Sequence, residues 1–130
     1  MKYRTQSRGV AVLELAICLP ILLTLTFATI EVCTMLHLRQ KIKVAAYEGA
    51  RVGITPESTS SKVSYHCETL LDSQSVYGYT ISMQPSNPKD LQEGDYFRVT
   101  VDAAFAPNSL VGDWIYSSKT LSETVSLKAE

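Results

Sequence analysis

Charge is scarce in the first third of this 130-residue chain. Between Val10 and Leu36 only Glu14 and Glu31 carry a formal charge, and Leu15 to Ile30 carries none. Cysteine is scarce too. Cys18, Cys33 and Cys67 have spacings that make neither a disulfide framework nor a metal-ligand set. Cys18 and Cys33 read as small hydrophobes; Cys67 is either another or a cross-link between two chains in an oxidising compartment. Missing as well are GxSxG, a phosphate-binding glycine loop, HExxH and any paired His/Cys cluster, so catalysis has no support. His66 stands alone and reads as a surface residue, and the acids from Asp90 to Asp95 lack the regular spacing of a calcium loop. The chain is therefore read as a non-enzyme with no cofactor and no metal. Its net charge of −1 hides an asymmetry: residues 1–53 hold seven Lys/Arg against three Glu, and residues 54–130 hold five against ten acids. That acidic second part argues against a nucleic-acid partner.

What is present is one dominant apolar stretch. About 20 such residues at ~1.5 Å rise cross the hydrocarbon core of a bilayer, so residues 10–36 are expected to span a membrane. Beyond them the pattern changes without a helix stop. Met35, Leu38, Ile42, Ala45, Gly49 and Val52 recur at intervals of three and four, an amphipathic stripe. The first stop is Gly53-Ile54-Thr55-Pro56. The spacing predicts a single helix over residues 10–53, about 65 Å long, with residues 37–53 continuing outside the membrane.

Ahead of it, residues 1–9 form a basic leader with Lys2, Arg4 and Arg8. The apolar run is too long for a typical signal-peptide core and ends in no clean cleavage site, which favours a retained anchor. Positive charges flank both ends, with Arg39, Lys41, Lys43 and Arg51 on the far side, so charge counting leaves the orientation open. The stretch Gly9-Val10-Ala11-Val12-Leu13-Glu14 is more informative: a glycine after basic residues, then an apolar run with a carboxylate five positions on. It resembles the processing site of type IV pilin-like precursors. With Arg8-Gly9, Val12-Leu13-Glu14, Pro20, Glu31 and Ala45-Ala46-Tyr47-Glu48-Gly49-Ala50-Arg51, the wider stretch resembles the TadE-like proteins of tight adherence (Flp) pilus systems. Tyr47 departs from the arginine usual there. The resemblance implies cleavage between Gly9 and Val10 by a prepilin peptidase and a cytoplasmic N-terminus. It also implies partners among major and minor pilins (Flp, TadF-like) and the inner-membrane assembly machinery, with a role in adhesion and biofilm formation.

The residues themselves fit that role. A carboxylate costs about 2.5–3.5 kcal/mol at the bilayer centre unless paired. Glu14 lies four residues after Val10, on the same helix face, where a newly made amine at Val10 would neutralise it within or between chains. Glu31 has no cation three or four residues away, so its expected partner is interfacial water or another chain. Pro20 removes one helix hydrogen bond and frees the Ala16 carbonyl. The small residues Ala45, Ala46, Gly49 and Ala50 allow close approach, either by another subunit or by this chain's own second half.

Residues 54–130 read as a small extracytoplasmic domain. A helix is expected over residues 60–73, capped by Ser58 or Thr59, with Val63, Cys67, Leu70 and Leu71 on one face. Period-two alternation follows in Tyr77, Tyr79, Ile81 and Met83, in Phe97, Val99, Val101, Ala103 and Phe105, and again in Leu121, Val125 and Leu127. Glu123 falls on the inward face of the last run. A loop from Pro107 to Asp113, leading past Trp114, precedes that run. The expected fold class is α+β: a long helix packed on a short helix and a three-stranded antiparallel sheet. Ile42, Ala45, Gly49 and Val52 should meet the sheet, with Met35 and Leu38 exposed or lipid-facing. Two functions compete: a minor pilin or pseudopilin, and an uncleaved single-pass protein whose outer domain binds a partner or ligand.

Overall fold

A computed structural model describes residues 6–112, 116 and 118–129. Lys2 and Arg4 of the leader, the Arg8 side chain, and Asp113 and Trp114 of the late loop lie outside the described set. The first helix, α1, runs without interruption over Gln6–Gly53. Its 48 residues span about 72 Å at the α-helical rise. It starts four residues ahead of the expected Val10, since nothing between Gln6 and Gly9 opposes helix strongly enough to stop it. Pro20 sits inside it. Thr24 Oγ1 donates to the Pro20 carbonyl at 2.8 Å, and Thr26, Thr29 and Thr34 bond in the same way to the carbonyls four residues back. These threonines carry satisfied hydroxyls through an apolar stretch, a detail the residue pattern alone did not flag.

The second helix, α2, covers Ser60–Ser73 with Thr59 as its cap, whose hydroxyl accepts from the Lys62 amide at 3.3 Å. At its other end Lys41 of α1 donates to the Gln74 carbonyl at 2.7 Å, satisfying a group that the helix terminus leaves free. Strands β1 (Tyr79–Gln84), β2 (Tyr96–Ala104) and β3 (Thr120–Lys128) form an antiparallel sheet in that order, with β2 central. The expected α+β architecture is what the structure has.

The core lies between one face of α1, the buried face of α2 and the inner face of β2. Ile42, Ala45, Ala46, Ala50, Val63, Cys67, Leu71, Phe97, Val99, Val101, Ala103 and Phe105 are all fully buried. Two glycines make this approach possible. A Cβ on Gly53 would collide with the Phe97 ring, and one on Gly49 would collide with Cys67 Sγ while touching Val99 Cγ1 at 3.6 Å. These contacts also fix direction. Phe97 lies at the end of α1, Val99 one turn earlier, so β2 runs back along the helix toward its apolar half. Glu123 in β3 pairs with Val101 in register and meets Arg39 of α1 in an ion pair. An inward acid on an edge strand is thus neutralised, at a gain of about 0.2–1 kcal/mol given the exposure of Arg39.

Two expectations need correcting. Leu38 is 3% exposed and Met35 is half-buried against the core, whereas both were expected to face outward. The nine residues of β2, followed by Phe105, reach further down the helix than the stripe alone suggests. The alternation groups Tyr77 with the inward residues of β1, but Tyr77 is exposed and Val76 is buried instead. Tyr77 precedes the strand, where Asn108 holds its amide at 2.9 Å and its carbonyl at 2.7 Å.

Candidate functional site

Helix α1 divides sharply by exposure. From Gly9 to Ile30 every residue is exposed except Ala28, which is partly covered; Val10, Leu13, Leu22 and Leu25 are each more than half exposed. From Glu31 onward one face is covered at Glu31, Leu38, Ile42, Ala45 and Gly49. The exposed half is long and apolar enough to cross a membrane, and none of its apolar window is buried within the chain.

Gly9, Val10 and Glu14 lie on the exposed half. Gly9 has open space where a side chain would be. Among the described residues Glu14 has neither an ion pair nor a side-chain hydrogen bond. One helical turn separates Val10 from Glu14, so the two share a face that nothing among the described residues covers.

Glu31 differs in burial. It is 1% exposed, and among the described residues its Oε1 has no hydrogen-bond partner. Water at the interface and a neighbouring chain were the expected partners, yet the fold covers the side chain. The reason is positional: Ala28, Glu31, Met35 and Leu38 continue the buried seam at intervals of three and four. Ala45, Ala46, Gly49 and Ala50 also face this chain's own sheet and second helix, so none is left on the surface for another subunit. Gly49 and Cys67 show what that seam is for: Cys67 Sγ packs over the glycine and donates to the Ala45 carbonyl at 3.4 Å. Burial, followed by the charge of nearby Glu68, pushes the Cys67 thiol up to about 11. A buried, protonated thiol is poorly placed to cross-link two chains.

Residues 9–51 match the family model described as TadE-like protein. Over these residues helix α1 is similar to that family. The match covers about a third of the chain and stops two residues before the helix does. It bears out the resemblance to the TadE-like proteins over Gly9 to Arg51, and Arg8 lies just outside it. It also associates the chain with the tight adherence pilus system in general. No curated protein and no solved structure matches. The TadE-like segment takes in both halves of the helix, the bare apolar one and the one that builds the core of the head.

Proposed function

We propose that the chain is a minor pilin or pseudopilin of a tight adherence pilus, and a structural subunit rather than an enzyme. The observation that carries this reading is the bare half of α1. Of its 21 residues from Val10 to Ile30 all but Ala28 are exposed, and they bear one carboxylate, Glu14, a single turn from Val10 and without an ion pair among the described residues. Leader removal between Gly9 and Val10 would create a cationic amine beside that carboxylate. The pair, within one chain or across two, supplies a neutral and directional contact that a bilayer or a packed bundle of such helices requires. Glycine at the cut lowers the helix propensity by about 1 kcal/mol against alanine, which eases the local opening a peptidase needs.

On this reading residues 1–9 are a cytoplasmic leader, the apolar half of α1 is held in the inner membrane, and residues 54–130 stand outside the cytoplasm. The partners are the prepilin peptidase, the other pilins and the assembly machinery, and the outcome is adhesion and biofilm formation. Intact-mass measurement on protein from the native host tests the reading. The expected mass is that of a chain lacking residues 1–9. A full-length chain favours the second reading, an uncleaved single-pass protein whose outer domain binds a partner or ligand. One observation speaks for that alternative: α1 runs unbroken through Gly9, as the helix of a permanent anchor does.

A further inference from the structure

The loop after β2 stands in an unusual place. Ala106–Asn108 forms a short 3-10 turn, and two residues later Leu110 is 80% exposed, the most exposed large apolar side chain in the described part of the head. It does not point toward open solvent far from the helix. Leu110 faces an open groove whose other wall is α1, at Ile30, Cys33, Thr34 and His37. Tyr77, held by Asn108, is also exposed at this end of the head. The sheet's opposite end, at Gln84 and Arg98, lies toward the C-terminus of α1.

Length relates this loop to the membrane. The helix is bare from Gly9, and the head first covers it at Ala28 and Glu31. From Val10 to Ile30 is 21 residues, about 31 Å at the α-helical rise, against about 30 Å for a hydrocarbon core. The bare segment is about as long as the hydrocarbon core is thick. The head therefore begins where the bilayer ends, and Leu110 sits beside the residues at that level. A largely exposed leucine and a tyrosine at the rim have the composition of an interfacial contact.

We propose that the loop around Leu110 rests on the outer face of the lipid bilayer, with Leu110 inserted beside α1. The helix then leaves the hydrocarbon close to Ile30, not Leu36, and Glu31 is covered by the head at the boundary instead of facing lipid. Two attachments hold the head: the helix and this loop. The proposal rests on the apolar half of α1 spanning a membrane, and its test separates the two claims.

The full chain is reconstituted in phosphatidylcholine vesicles carrying an environment-sensitive fluorophore on one thiol at a time. The sites are native Cys18, Leu110→Cys and Ser86→Cys, the last an exposed residue at the far end of the sheet; the other exposed cysteines are changed to serine. Cys67, being buried, stays unlabelled in folded protein. The Leu110→Cys probe should be quenched by lipids spin-labelled near the headgroup. Aqueous iodide should quench it several-fold less than the Ser86→Cys probe, whatever the protein-to-lipid ratio. Iodide access equal to that at Ser86→Cys, with the Cys18 probe still quenched by lipid, overturns the proposal alone. Protection of the Leu110→Cys probe that disappears on dilution into excess lipid assigns the groove to a second copy and also overturns it. A Cys18 probe open to iodide removes the span and the proposal together.

Discussion

The two halves of α1 are both rich in apolar residues, the first more so, and they have opposite fates. Val10 to Ile30 is rich in leucine, isoleucine and threonine, uniformly apolar around the helix, and bare. Glu31 to Gly53 is amphipathic, with alanines and glycines on its inward face, and about a third of its residues are buried under a sheet and a second helix. The difference lies in side-chain size and in period. Large residues on all sides leave no face along which a small head could close, so the first half needs lipid or other helices. Small residues on one stripe let Phe97, Val99 and Cys67 come within van der Waals reach, and there the chain completes its own core. The apolar surface of one helix thus serves two purposes, divided near Glu31.

Matched truncations break or sharpen this contrast most strongly. Leu71→Ala, in the core, is expected to destabilise the head by about 2–5 kcal/mol, whereas Leu22→Ala, on the bare half, changes it by no more than about 0.5 kcal/mol. Denaturant unfolding in mild detergent, followed by near-UV circular dichroism, checks both. Equal losses would mean that the bare half also supports the head. Gly53→Ala comes next, at about 1–3 kcal/mol, because its new methyl has no room beside the buried Phe97 ring. Gly49→Ala should cost less, since alanine regains about 1 kcal/mol of helix propensity and only Cys67 obstructs it. Gly49→Ala combined with Cys67→Ala should therefore recover most of the loss, as the unfolding midpoints of the double-mutant cycle would show.

The smallest effect is one of pH. Burial, the hydrogen bond to Asp72 (2.8 Å), and the charges of Asp72 and Glu68 push the Tyr79 phenol up from 10.0 to about 12. A phenol held neutral by the fold adds stability that is complete below pH 10 and falls away as pH rises through about 12. Tyr79→Phe should flatten that decline between pH 10 and 12 while leaving the bare half of α1 unaffected; thermal midpoints across the range measure it.

Much of this molecule was legible in its sequence because period and size are local properties. The continuous helix, the residues of α2, the inward faces of β1 to β3 and the antiparallel order all followed from spacing and turn residues. Gly9, Val10 and Glu14 were legible as a motif, and the fold leaves them uncovered. What was not legible depends on distant partners. Glu31 looked interfacial because its helical neighbours hold no cation; its burial comes from how far the head reaches back along α1. The corrections at Met35 and Leu38 have the same origin. Gly53 looked like a helix stop, and its closeness to Phe97 needed the strand's position. Asn108, which ties Tyr77 to the end of β2, belongs to no periodic pattern.

The central claim is that the bare half of α1 exists to be assembled, and Glu14 tests it most directly. In a permanent anchor, Glu14→Leu removes an acid from lipid and should improve insertion, with no other consequence. In a pilin-like subunit the same change strands the amine at mature Val10 without its acceptor, and breaking such a pair commonly costs about 3–5 kcal/mol where it is desolvated. The measurement is surface piliation of host cells carrying Glu14→Leu, alongside the membrane abundance and leader removal of the subunit. Normal abundance and normal cleavage with piliation lost is the predicted result; normal piliation at normal abundance would contradict the account.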